Sequence, residues 1–195
     1  MSECLKYGFL GPEKVGKTFG AQHRSRTEKT LLILNPTGET GLTEGATVVY
    51  TKAQLVGAMK GADGKKKHHV CWNISPKLDG YAAFDFACRI AVATGGKSWP
   101  CAILANETET LFPEEAKLTP AVNQVLRQGM QHCLVPLYWT GQRPYDINKQ
   151  LRNNTHEWHF FRNDDDGYER FVKSKCGSKM SGVAETLDKY HFIYK

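Results

Sequence analysis

Gly11-Pro-Glu-Lys-Val-Gly-Lys-Thr18 follows the apolar run Leu5 to Leu10 and opens a helix predicted from about Lys17. It matches GxxxxGK[ST] at every fixed position, in the strand-to-helix setting this pattern requires. The residue types have a physical reason. Glycines let the backbone curl so that successive N–H groups point inward at a phosphate, and the helix N-terminus adds partial positive charge. Lys17 can reach the β- and γ-phosphates, and the Thr18 hydroxyl can ligate Mg²⁺. The expected nucleotide-binding run is Gly11, Pro12, Glu13, Lys14, Val15, Gly16, Lys17, Thr18 and Phe19.

Outward from this loop, short β-rich runs alternate with helical stretches, the pattern of an α/β fold with a mainly parallel sheet. Strands are expected at Thr30 to Leu34, Thr47 to Tyr50, His69 to Ile74, Cys101 to Ala105, Cys133 to Trp139 and Trp158 to Arg162, with an edge strand at His191 to Tyr194. Helices are expected at Lys52 to Met59, Tyr81 to Ala93, Pro120 to Gln128 and Tyr145 to Asn153. Asp164-Asp165-Asp166 reads as a helix N-terminal run, favoured there by the helix dipole, in preference to a cation site. No linker divides the chain, so residues 1–195 are read as one domain.

Composition agrees with this reading. The 195 residues are 41% hydrophobic and 24% charged, which excludes a disordered or fibrous chain. The net charge of +6 suits a polyanionic partner without establishing one. Asp85 and Arg89 interrupt the longest apolar stretch, so no transmembrane span fits, and the N-terminus lacks a signal-peptide pattern; a soluble intracellular protein is expected. The cysteines and histidines show no metal-ligand spacing and read as packing or surface residues.

A phosphate loop needs a partner strand bearing acids, and Ala102-Ile-Leu-Ala-Asn-Glu-Thr-Glu109 supplies it. Polar residues there fall at the C-terminal end of an apolar strand, where ligands of open α/β sheets bind. Glu107 is placed to polarise a water. Asn106 stands where an Mg²⁺-holding aspartate is usual, so the metal position is assigned to Thr18 and Asn106, with Glu107 or Glu109 as candidates to share it. Leu137-Tyr-Trp-Thr-Gly-Gln142-Arg143-Pro144 is the third element, a strand ending in an amide that could sense a γ-phosphate.

These three elements in order, with YWTGQRPYDINKQLRNNTHEWHFFR closing them, resemble the FtsK/HerA superfamily of DNA-pumping ATPases. The version most similar is that of the genome-packaging ATPases of membrane-containing icosahedral viruses and phages. Asp146, Ile147, Lys149, Leu151, Arg152, Asn154, Phe161 and Arg162 occupy the positions of that group's motif. The resemblance implies a P-loop NTPase three-layer α/β/α sandwich of the additional-strand, RecA/FtsK-like type. It implies ATP and Mg²⁺ as cofactors, Lys17 and Thr18 on phosphate and metal, Glu107 activating water and Gln142 sensing the γ-phosphate. It further implies a homo-oligomeric ring in which one subunit's arginine reaches its neighbour's nucleotide. Arg127 is the candidate, with Arg152 and Arg162 as alternatives.

As partners the resemblance implies double-stranded DNA held through its phosphates, and a capsid vertex or viral membrane protein, in the host cytoplasm or the virion. Two basic runs are candidate DNA contacts: Lys60 with Lys65 to Lys67 and His68, and Lys173, Lys175 and Lys179. The leading expectation is a packaging ATPase that translocates double-stranded DNA. A related motor for phage assembly or DNA transfer, and a nucleotide-binding scaffold with weak hydrolysis, are the alternatives.

Overall fold

The computed structural model describes residues 6–95, 100–127, 135–180, 182–188 and 191–194, and of residue 127 the backbone. In chain order the elements are β1 (Lys6–Leu10), α1 (Lys17–Ser25), β2 (Thr30–Asn35), β3 (Thr47–Val49), α2 (Lys52–Met59), β4 (His68–Asn73), α3 (Gly80–Thr94), β5 (Cys101–Ala105), α4 (Thr108–Leu111), α5 (Pro120–Arg127), β6 (Leu137–Gly141), α6 (Lys149–Asn154), β7 (Glu157–Phe161), α7 (Asp166–Cys176), α8 (Val183–Thr186) and β8 (Phe192–Tyr194).

The described strands form one sheet in the order β3-β4-β2-β5-β6-β1-β7-β8. Every pairing from β3 to β7 is parallel, and β8 closes the edge antiparallel to β7. The apolar runs TLLILN and CAILA become fully buried interior strands, as residues needed on both faces of a covered parallel sheet must. Alternation sorts the side chains. Leu32, Leu34, Val70, Trp72, Ile103 and Trp139 face the layer built by α2, α3, α5 and α7. Leu31, Ile33, Cys71, Leu104 and Tyr138 face the layer of α1, through Ala21 and the Leu42 turn. This is the three-layer sandwich expected, and β6 lies between β1 and β5, as the additional-strand type requires.

Local chemistry sets the helix boundaries. Thr51 and Gln54 form a reciprocal capping box at the start of α2. Asp79 caps α3, whose buried stripe is Ala83, Phe84, Ala87, Cys88 and Ala91. Asp165 caps α7 by accepting the Tyr168 N–H at 2.8 Å, which makes the acidic run a cap as expected. The helix expected at Tyr145 to Asn153 is different. Pro144–Asp146 is a single 3₁₀ turn, Ile147 is extended, and Asn148 caps a shorter α6. Cys133, expected to start the sixth strand, lies outside the described residues, and β6 is described from Leu137.

Because β1, β2, β5, β6 and β7 run parallel, the segments following them share one edge of the sheet. That edge carries residues 11–18, 36–39, 106–109 and 142–143.

Candidate active site

Gly11 leaves β1 with its N–H on the Gly141 carbonyl at 3.1 Å, which ties the phosphate loop to the end of β6. The loop then curls through left-handed backbone at Lys14 (φ 61°) and Gly16 (φ 105°). Gly16 occupies the N-cap of α1, where no side chain caps the helix, so its first N–H groups face the loop's concavity. Lys17 is only 4% exposed; its Nζ donates to the Pro12 carbonyl at 2.9 Å and stands 3.8 Å from Glu107 Oε1.

Glu107 is the residue immediately beyond Asn106 at the end of β5. It has left-handed backbone (φ 51°), a conformation that costs a residue with a Cβ about 1–2 kcal/mol. Its N–H donates to Thr140 Oγ1 at 3.0 Å. On the side chain's other oxygen, Oε2 accepts from Gln142 Nε2 at 3.1 Å. Lys17, Glu107 and Gln142 are therefore linked through the two oxygens of Glu107, at the ends of β1, β5 and β6. Sequence reasoning assigned these three separately, and the fold brings them together.

Asn106 is buried. Its Oδ1 accepts from Thr140 Oγ1 at 2.9 Å and lies 3.2 Å from the Thr18 hydroxyl. On the other side, Nδ2 donates to Thr37 Oγ1 and Glu39 Oε2, each at 3.4 Å. Neither Thr140 nor Glu39 stood out in the sequence. Glu39 follows Asn35-Pro36-Thr37-Gly38, a polar run after an apolar strand, but its relevance depends on β2 lying beside β5, which spacing does not reveal.

Glu109, a candidate to share the metal position, is bonded to the loop after β6. Its carboxylate accepts the backbone N–H groups of Gln142 and, at 3.1 Å, of Arg143, and so holds the loop that carries the amide. Burial raises its pKa, with the backbone donors opposing and the charge of Glu107 adding to the rise. Gly141 has no room for a side chain: a Cβ there would sit 2.5 Å from Ile147 Cδ1 and 3.2 Å from Glu109 Oε1.

Two recesses meet at Gly16 and Phe19. A cleft of about 530 Å³ is lined by Lys14, Lys17, Thr18, Thr37, Glu39 and Glu107. A groove of about 720 Å³ lies on the β7 side of α1, lined chiefly by Phe9, Phe19, Gly20, His23, Phe161 and Phe192. Phe19 is 72% exposed between them.

The remaining candidates separate clearly. The Arg127 side chain lies outside the described residues. Arg152 donates from Nη2 to Glu114 and from Nε to the Ile147 carbonyl, each at 2.9 Å, so its guanidinium is committed within its own chain. Arg162 is exposed just beyond β7. Residues 60–67 precede β4 and so lie at the opposite edge of the sheet from the cleft. Lys175 Nζ sits 5.3 Å from the ring of Trp158, near the start of β7, which puts the end of α7 toward that same far edge. Among the described histidines, His159 stacks on Phe9 at 4.4 Å and His69 Nε2 lies 2.8 Å from the Glu28 carbonyl oxygen, while His23 and His191 are exposed. Among the described residues no group of three or more His, Cys, Asp or Glu is placed to hold a metal, and no helix is long and apolar enough to cross a membrane. Cys71, Cys88 and Cys101 are buried, and burial raises Cys71 to about 11.

No protein-family model matches the sequence, and no curated protein matches it. Solved structures do match. The genome packaging NTPase B204 from Sulfolobus turreted icosahedral virus 2, in complex with AMP, superposes with a TM-score of 0.77 at 17% identity, over 100% of this chain and 93% of that one. Its complex with ATP-gammaS gives 0.77 at 16% identity, over 100% and 92%. The N-terminal domain of zonular occludens toxin from Neisseria meningitidis gives 0.50 at 11% identity, over 85% and 81%. These are likenesses of architecture: the chain has the P-loop NTPase fold that the packaging NTPase has.

Proposed function

We propose that this chain is an ATP hydrolase that drives double-stranded DNA into a viral capsid, working as a homo-oligomeric ring. The observation that carries the reading is the linkage Lys17–Glu107–Gln142 over an uncapped helix N-terminus. It is supported by a fold shared with a virus protein described as a genome packaging NTPase and solved with adenine nucleotides.

The geometry supports the following course of reaction. ATP enters with its γ-phosphate toward Glu107 and Gln142. Lys17 then exchanges its contacts with Pro12 and Glu107 for β- and γ-phosphate oxygens. That exchange leaves Glu107 to orient a water and accept its proton. Gln142 loses its glutamate partner and turns its amide to the γ-phosphate, while Glu109 keeps the 142–143 backbone fixed. The Thr18 hydroxyl and the Asn106 amide oxygen are hard oxygen donors that suit Mg²⁺, which when bound neutralises charge on the β- and γ-phosphates. With that end fixed, the base lies on the opposite side of β1, along Phe19 in the apolar groove. An arginine from the adjoining subunit, Arg127 or Arg162, completes the site.

The test is motion on DNA. The protein should displace a triplex-forming oligonucleotide from long duplex DNA with ATP, and neither ATPγS nor the Lys17→Ala variant should support displacement. Asn106 favours one second reading, a nucleotide-dependent scaffold with slow turnover. Stable ATP-dependent DNA binding without displacement would favour the scaffold over the motor.

A further inference from the structure

Glu39 is a carboxylate that the mechanism above does not use. It ends the segment after β2, the strand paired with β5. Its main chain is gripped at both ends by the buried Asn35: Oδ1 accepts the Glu39 N–H at 3.0 Å, and Nδ2 donates to the Glu39 carbonyl at 3.0 Å. Asn35 is itself fixed by a 2.8 Å bond to Asn73 Oδ1 on β4. A side chain on a backbone held this way is aimed, even where it faces solvent. Its Oε2 lies 3.3 Å from the Thr18 hydroxyl and 3.4 Å from Asn106 Nδ2.

We propose that Glu39 supplies the negative charge at the Mg²⁺ position that Asn106 lacks, the acid having been moved from the end of β5 to the loop after β2. This rests on the nucleotide-site reading above. Thr18 and Asn106 are both neutral and Glu107 is engaged with Lys17 and Gln142, whereas Glu39 is the carboxylate in contact with both Thr18 and Asn106, and hard cations favour carboxylate oxygens. The orientation of the Asn106 amide fits the exchange. Thr140 Oγ1 already accepts the Glu107 N–H, so its own proton goes to Asn106 Oδ1. That leaves Nδ2 to hold Glu39, a bond an aspartate could not make. An aspartate at 106 would instead set two carboxylates against each other across the same short distance. Asn106 and Glu39 therefore form a matched pair, and Asn106 is not a lost acid.

The experiment measures how much Mg²⁺ tightens binding of ATPγS, by calorimetry in Mg²⁺ and in EDTA. Glu39→Gln should leave the EDTA affinity within about threefold of the parent. It should cut the Mg²⁺-dependent gain by about tenfold, in the range seen when a group supporting a metal is removed. The double variant Asn106→Asp/Glu39→Gln, which returns the acid to β5, should recover that gain to within about threefold. A full Mg²⁺ gain in Glu39→Gln would overturn the proposal, as would a double variant no better than the single one. Equal weakening in both buffers would also overturn it, marking Glu39 as a loop anchor. If the parent binds ATPγS in neither buffer, the nucleotide reading fails and this proposal with it. Binding that is indifferent to Glu39 removes this proposal alone.

Discussion

Lys17 carries the only buried ammonium that the fold points into the phosphate loop among the described residues, and under the proposed function its removal deletes the charge assigned to the β- and γ-phosphates. Lys17→Ala should abolish turnover. Glu107→Gln keeps the shape and loses the proton acceptor, so nucleotide binding should persist while kcat falls about 10²–10⁴-fold; unchanged kcat would move the role to another acid. Glu109 gives a pH test. Burial raises its folded pKa above the ordinary carboxylate value of about 4.3. Its contribution to stability is thus full below that ordinary value and is lost as pH rises through the folded one. Glu109→Gln has no such loss, so its melting temperature relative to the parent should climb as pH rises above the ordinary carboxylate value of about 4.3. A flat difference would contradict the burial argument. That Lys17, Thr18, Glu107 and Gln142 belong to segments ending on one edge of the sheet was legible in the sequence, because Lys17 and Thr18 sit in a short fixed pattern and Glu107 and Gln142 follow apolar strands. Glu39 and Thr140 were not legible, because they reach Asn106 and Thr18 only through strand neighbours remote in the chain.

At the scale of elements, the phosphate loop is braced from the far layer. Tyr168 on α7 is buried with its Oη 2.6 Å from the Leu10 carbonyl and 3.0 Å from the Phe161 carbonyl, so it binds the last residues of β1 and β7 together. Tyr168→Phe removes that donor from two buried acceptors and should lower the unfolding free energy in urea by about 1–3 kcal/mol. An unchanged urea midpoint would mean that the carbonyls find other partners. The groove beside α1 has a kinetic signature. If the base rests on Phe19, then Phe19→Ala should raise KM for ATP several-fold and leave kcat close to the parent, because the lost contact is made equally in ground and transition states. The alternation of strand and helix was readable from apolar runs and turn residues. The short α6 was misjudged as a longer helix because Pro144 and Asn148 both divert backbone hydrogen bonds locally. Strand order was beyond composition and spacing; the β6 insertion between β1 and β5 came from the resemblance alone.

Across the whole molecule, the lysine run 65–67 and the nucleotide-loop cleft occupy opposite edges of the sheet. The 60–67 segment lies away from the cleft, so under the proposed function one edge would hold a polyanion while the other turns over nucleotide. Replacing Lys65, Lys66 and Lys67 with alanine should weaken duplex binding without regard to sequence. It should also reduce the slope of log K against log salt by about 0.9 per lysine that contacts a phosphate. An unchanged slope would move the DNA contact elsewhere. The measurement that bears most directly on the central claim is steady-state ATP hydrolysis with Mg²⁺, with and without long duplex DNA, beside Lys17→Ala. A DNA-stimulated motor predicts turnover that rises with duplex and vanishes in the variant; hydrolysis undiminished in Lys17→Ala, or indifferent to DNA, would contradict it.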